Sequence, residues 1–309
     1  MLIKTPFEMF EQGLKLLRFD NNGCINYASD SMQEQFSSVF GSDAVTLAEI
    51  WADLQLTNIP EARIENATEK HLNYFLLTHH WLKVYPTFTS MALTFQAFGI
   101  RHTISDWVWS MVYRIAALKP TKISWPDEFD QQNAIIYCYT VDGTHFRCYE
   151  QTHAKLSKDP SWYSHKGNGA GVAYEVAIHI WESRVVHISE GHRKASKHDK
   201  TIYLEAGGLR DKTQPGKKGI GDRGYRTERG TPRLPVCTPN SHNTEAVRKF
   251  QARARARQET FFGRCNHFGI LKNTWRGERG SVEKHSIVFE AVCVILAYQS
   301  ENGHPLFDV

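Results

Sequence analysis

The chain is short of cysteine pairs, long apolar runs and repeats. Its six cysteines (Cys24, Cys138, Cys148, Cys237, Cys265 and Cys293) contain no Cys-x-x-Cys pair, and several fall inside apolar runs. That pattern fits small buried hydrophobes in a reducing compartment rather than a disulfide framework. The longest apolar run, Ile287 to Tyr298, is interrupted by Glu290 and is too short to span a bilayer. The first segment carries Glu8 and Glu11 too early for a secretory signal. No internal repeat or low-complexity tract is present. With 41% hydrophobic residues over 309 positions, the chain can bury a sizeable core, so the expectation is a soluble globular protein with no membrane segment.

The net charge of +4 is small, but its distribution is uneven. Arg248, Lys249, Arg253, Arg255, Arg257, Arg264, Lys272, Arg276 and Arg279 face only Glu259 and Glu278 in the same stretch. A basic C-terminal half suits a polyanionic partner.

Along the chain, Ile3, Phe7, Phe10, Leu14 and Leu17 share one helical face, and Asn21, Asn22 and Gly23 end it. A polar, poorly patterned stretch follows to about residue 70. Residues 71–83 and 88–100 read as helices, with Gly99 closing the second. A third helix, capped by Thr103 or Ser105, carries Trp107, Val108, Met111, Val112, Ile115 and Ala116. Two helices joined by a glycine turn fit either a helix-turn-helix unit or an ordinary bundle. Pro120, Trp125 and Pro126 then mark a boundary. Segments 1–70, 71–126 and 127–309 follow from this reading.

Beyond the boundary the pattern turns to strands. Ala134 to Val141 reads as a buried strand ending at Asp142-Gly143, and 171–180 with 184–188 reads as a hairpin. Helix signals follow over 196–206, a short strand over 218–221, a long helix over 244–271, and a last helix over 286–299.

Three acids sit at or beside separate elements. They are Asp142 in YTVDGTHF, Asp222 in KKGIGDRGYR and Glu259 in ARARARQETFFGR. Brought together, they could hold a pair of divalent ions, since Mg²⁺ takes one or two carboxylates plus phosphate oxygens. Each also has a plainer reading. Asp142-Gly143 fits a turn, Asp222 a turn residue or an ion pair with Arg223 or Arg226, and Glu259 a surface pair with Arg255. Asp199, after His198, reads as a capping or first-turn residue of a helix, with metal contact as the alternative. His145 lies three residues beyond Asp142, and Lys166-Gly167 fits a phosphate contact or a solvated loop.

Several phrases, in order, resemble the DDE-type transposases of the PIF/Harbinger group, which includes the Harbinger transposase-derived nuclease. They are WLKVYPT at 81–87, AIIYCYTVDGTHF ending at Phe146, YSHKG at 163–167, Ser196-x-His198-Asp199, GDRGY at 221–225, ARARQETFFG at 254–263 and the tail IVFEAVCVILAYQ. The resemblance implies an RNase H-like fold of the α/β (α+β) class, a mixed five-stranded sheet flanked by helices and preceded by an all-helical region. It implies Asp142, Asp222 and Glu259 as catalytic, metal-holding acids, Mg²⁺ or Mn²⁺ as cofactor, DNA as substrate, a nuclear location and a Myb-like helper; a homo-oligomer is one option, and the sequence does not set the oligomeric state. Lys166, Arg253, Arg257 and Arg264 are the expected DNA contacts. The sequence departs from the family at GRCNHFGILKNTW and at Arg223. Cleavage with strand transfer, a non-cleaving scaffold, and action on RNA or hybrids remain alternatives at this level.

Overall fold

The computed structural model describes residues 1–18, 29–131, 136–149, 159–164, 168–189, 193–227, 233–277 and 283–309. By spatial packing the chain forms two units that interleave in sequence. The first comprises Met1–Pro120, Asn266–Asn273 and Ile287–Gly303; the second comprises Thr121–Cys265, Thr274–Ser286 and His304–Val309. Among the described residues, no helix is long and apolar enough to cross a membrane.

The first unit is helical. It contains α1 (Pro6–Leu16), α2 (Asp30–Phe40), α3 (Ala44–Leu56), α4 (Glu69–Val84), α5 (Phe88–Thr94) and α6 (Arg101–Ala117). Thr5 and Glu8 form a reciprocal capping box at the start of α1, and Pro6 pre-sets its first turn. α2 and α3 lie in the stretch whose sequence showed little pattern. Apolar and small side chains all around α3 are buried, among them Ala44, Leu47, Ala48, Ile50, Trp51 and Leu54, so no single stripe announces it. α5 ends at Thr94 instead of near residue 100, because Phe95 turns inward against His80 (ring centroids 5.5 Å apart) and breaks the helical backbone. α6 accordingly starts at Arg101 after Ile100, and neither Thr103 nor Ser105 caps it.

The second unit is a mixed sheet flanked by helices, the arrangement of an RNase H-like α/β fold. Its strands are β1 (Tyr137–Arg147), β2 (Tyr163–Ser164), β3 (Gly169–His179), β4 (Val185–Ile188), β5 (Arg193–Lys194), β6 (Lys218–Ile220) and β7 (Val236–Cys237). The main path runs β2-β3-β1-β6-β7, with β4 and β5 also paired to β3. β3 and β4 form the expected hairpin. β1 does not end at Asp142: it continues to Arg147, because β3 supplies antiparallel partners from Tyr139↔His179 to Arg147↔Gly171. A long ladder overrides the local turn preference of Asp-Gly. Residues 132–135, the start of the strand read from sequence, lie outside the described residues.

Two helices complete the site's surroundings: α7 (Asp199–Tyr203) and α8 (Glu245–Cys265). α7 is shorter than the sequence signals over 196–206. α8 stops at Cys265, where the single helix expected to residue 271 breaks; Phe268 is extended, and a separate turn Gly269–Lys272 follows. Asn266–Asn273 pack with the first unit, so the chain changes partners where the helix ends.

Candidate metal centre

The site arises from parallel register. β1 and β6 run parallel, with Thr140 opposite Ile220. Two residues further along stand Asp142, within β1, and Asp222, just past the end of β6, and their side chains lie next to each other. Asp142 Oδ1 accepts from the Gly143 N–H at 2.8 Å. Asp222 Oδ1 accepts from the Gly224 N–H at 2.7 Å and caps the 3₁₀ turn Arg223–Tyr225. Short local bonds of this kind hold each carboxylate in a single orientation.

A third carboxylate joins them. Asp199, the first residue of α7, presents an oxygen that, with one each from Asp142 and Asp222, lies within 4.8 Å of both others. The sequence reading favoured a first-turn role for Asp199, which it has, over metal contact, and did not count it among the clustered acids. All three side chains are half-buried, leaving room for water and a ligand oxygen. Three hard anionic oxygens so close repel one another and suit a hard divalent cation with open positions.

A signal for Asp199 lies in two glycines. A Cβ on Gly143 would stand 2.0 Å from Asp199 Oδ1, and one on Gly224 would stand 3.0 Å from Asp199 Oδ2 and 2.9 Å from Asp222 Oδ1. Asp-Gly and Gly-Asp-Arg-Gly are therefore clearance for the carboxylate from α7 as well as turn chemistry. Gly143→Ala is expected to displace Asp199 and to lose most of the Mn²⁺-induced rise in thermal midpoint, although it removes no carboxylate. An unchanged metal response in a folded Gly143→Ala protein would contradict the clearance argument.

The cluster rests on a buried prop. Tyr225, three residues after Asp222, is fully buried and donates its hydroxyl to Glu175 Oε2 at 3.0 Å. Glu175 lies on β3 opposite Gly143 and is also fully buried. Burial raises the Tyr225 phenol well above its ordinary value, and the carboxylates of Glu175, Asp199 and Asp142 push it further. It stays a neutral donor, tying the Asp222 turn to the sheet beneath Asp142.

Glu259 is exposed on α8, and its carboxylate is not in the 4.8 Å group. The preceding residue, Gln258, donates to the carbonyls of Thr140 (2.7 Å) and Val176 (3.1 Å). Val176 is the cross-strand partner of Asp142, so α8 passes the sheet at that row, and Glu259 stands one residue on from the contact. Arg255, read as its surface partner, turns Nε to the Gln251 carbonyl at 3.4 Å. His145 bonds Ser164 Oγ through Nδ1 at 2.7 Å.

The arginines expected to grip DNA all donate to main-chain carbonyls of the protein. Arg257 is 0% exposed and donates to the carbonyls of His179, Ile180, Glu182 and Phe307 at 2.6–2.9 Å. A buried guanidinium with its donors spent on the main chain is not available to a phosphate, which corrects the DNA-contact expectation at this position. Arg264 donates to the carbonyls of His304 and Pro305. Arg253 is exposed, donates to the Asp308 carbonyl and lies over the Phe307 ring at 5.2 Å. The three together fasten residues 304–308 to α8. Lys166 lies outside the described residues.

A second acidic group, Glu128, His179 and Glu182, does not suit a metal. His179 Nδ1 accepts from the N–H groups of Trp181 and Glu182, both at 3.0 Å, so the neutral ring carries its proton on Nε2, which points to Glu128 at 3.8 Å. Arg184 already pairs with both glutamates. Burial lowers the His179 imidazole from 6.5 to about 4; Arg184 and Arg257 add to this, while Glu182 and Glu128 oppose it. The unfolded chain then takes up this proton first, so stability is expected to fall as pH drops from 6.5 towards 4. Urea titrations across that window should show a steeper loss in the native protein than in His179→Gln.

A family model described as DDE superfamily endonuclease matches residues 141–297. No curated protein and no solved structure matches the chain significantly. Covering just over half of the 309 residues and taking in all three clustered aspartates, the match shows that this chain belongs to the DDE superfamily endonucleases.

Proposed function

We propose that the protein is a divalent-metal-dependent endonuclease of the PIF/Harbinger type that cleaves DNA phosphodiester bonds and can transfer the resulting strand. The observation that carries this reading is the convergence of Asp142 from within β1, Asp222 from the exit of the parallel strand β6 and Asp199 from a helix start, in a chain of the DDE family. A structural role alone gives no reason to gather three like charges within 4.8 Å and clear two glycines around them.

In this reading Asp142 and Asp222 hold Mg²⁺ or Mn²⁺ from the sheet side and Asp199 from α7. Divalent ions held there would activate a water or 3′ hydroxyl and neutralise the leaving oxygen of an in-line displacement. The Gly143 and Gly224 N–H groups keep the aspartates aimed, and the Tyr225–Glu175 bond keeps the Asp222 turn on the sheet. Glu259, on a helix seated at the Asp142 row, is the proposed third catalytic acid. A DNA substrate also accounts for the proposed nuclear location, and the family resemblance for a Myb-like helper.

Purified protein is expected to nick supercoiled DNA with Mn²⁺ and to stop when the ion is chelated. Folded protein that leaves DNA intact across Mn²⁺ and Mg²⁺ concentrations, with no metal-induced stabilisation, overturns the reading in favour of a non-cleaving scaffold. Two variants then separate the roles of the outer acids. Glu259→Gln is expected to lose cleavage while keeping most of the metal-induced stabilisation, whereas Asp199→Asn is expected to lose both.

A further inference from the structure

The helical first unit carries a cavity of its own, about 430 Å³, bounded by the loop over residues 57–68, the first turn of α4 and the last turn of α6. Local bonds set its shape. The Ile64 N–H donates to the Leu54 carbonyl at 2.7 Å, which folds the loop back on α3, buries Ile64 as the floor and leaves Arg63 and Glu65 exposed at the rim. Arg114, half-buried on α6, donates Nη1 to the Arg63 carbonyl, so its guanidinium is held against the same loop. His71 Nδ1 accepts from the Thr68 N–H at 3.2 Å, which leaves Nε2–H as the donor of the neutral ring.

The charges of this lining do not balance. Arg63 and Arg114 stand against a single carboxylate, Glu65, and among the described residues neither arginine forms an ion pair. Lys70 adds a further cation close by, over the Trp107 ring at 5.0 Å, and His71 packs edge-on against the same ring at 5.3 Å. Burial lowers the His71 imidazole below its ordinary value, and Arg114 and Lys70 lower it further. Like charges gathered in one cavity repel, and a bound anion relieves that repulsion.

Two guanidinium groups and an imidazole N–H around one cavity suit an anion with several oxygens. A phosphate monoester offers three terminal oxygens and nearly two negative charges. A backbone diester offers fewer of both and carries chain on either side, which a cavity bounded by three elements does not accommodate. The volume lies within the range of small-molecule sites and leaves room for the group that bears the phosphate. We propose that this cavity binds a phosphate monoester, carried by a phosphoserine side chain or by a small free metabolite. Arg63 and Arg114 take its oxygens, His71 donates to it, and Ile64 contacts its carbon stem. The site gives the first unit a recognition function and does not depend on the nuclease reading.

Titration calorimetry of the full chain in phosphate-free buffer tests it with N-acetyl-phosphoserine amide, the same compound without its phosphate, dimethyl phosphate, and a short phosphoserine peptide. The blocked phosphoserine is expected to bind about tenfold more tightly than dimethyl phosphate, and blocked serine not at all. Arg63→Ala should weaken binding about tenfold, whereas Glu65→Gln, which removes the opposing carboxylate from the same rim, should tighten it about threefold. Both side chains are exposed, so both variants should keep the native thermal midpoint within a few degrees. A peptide that binds about tenfold more tightly than blocked phosphoserine assigns the site to a protein partner; equal or weaker binding assigns it to a small metabolite. Native protein that binds no monoester, equal binding of dimethyl phosphate, or folded variants with unchanged affinity overturns the proposal. Displacement of the phosphoserine compound by duplex DNA more readily than by the peptide makes the cavity a backbone contact, and overturns it too.

Discussion

Asp222→Ala is expected to reduce Mn²⁺-dependent DNA cleavage by about a thousandfold or more while leaving the metal-free fold intact or slightly firmer. The two expectations come from one geometry. Asp222 shares a space of 4.8 Å with Asp142 and Asp199, so without a cation it is one of three mutually repelling groups. Removing it relieves repulsion in the metal-free protein and takes a ligand from the metal-bound one. Native protein at a hundredfold excess of Mn²⁺ over Kd should gain about 2.7 kcal/mol, and the variant close to none. Asp142→Ala should behave alike, because the β1–β6 register brings both carboxylates into the one cluster. Calorimetry with and without Mn²⁺, alongside a nicking assay, checks both. A variant that cleaves at the native rate would dissociate the cluster from the chemistry. One that unfolds without metal would make Asp222 a structural residue through its cap on the Arg223–Tyr225 turn.

Arg257→Ala is expected to cost about 3–5 kcal/mol of stability, the range for removing one member of a buried charged network. The side chain is wholly buried, and its guanidinium organises the carbonyls at the β3–β4 turn together with Phe307 of the C-terminal segment. Truncation leaves those carbonyls facing a cavity. Burial disfavours the charged form, lowering its affinity for the proton, while Asp308 opposes that effect. Lysine should rescue poorly, since a point charge cannot reach the same carbonyls as a planar fork. Arg253→Ala, on the exposed face of the same helix, should cost less than about 1 kcal/mol. Urea unfolding of the three variants measures the contrast. A small loss at Arg257 would return it to the pool of DNA-contacting candidates.

These two positions also show what a one-dimensional reading can and cannot extract. Asp142 and Asp222 were legible because each follows an apolar β-rich run and is set among glycines, and the short strand before Asp222 is where the pattern put it. The β3–β4 hairpin and the helices over Glu69–Val84 and Glu283–Glu301 were legible for the same reason: local periodicity states which face is buried. Arg257 was not, because an arginine in an Arg-Ala-Arg-Ala-Arg run looks like its neighbours until something covers it. What covers it is a turn some 75 positions earlier and a segment 50 positions later.

The order of residues by itself determined that two aspartates follow apolar β-rich runs, that a helix begins at another, and that glycines adjoin two of the three acids. Tertiary structure alone decided that β1 runs past Asp142, that Asp199 meets Asp142 and Asp222, and that the long helix breaks at Cys265. The physical reason is range. Turn chemistry, capping and periodicity act over a few residues, whereas register between β1 and β6 and the clearance at Gly143 are relations between atoms about 60 to 80 positions apart, set only when the sheet closes.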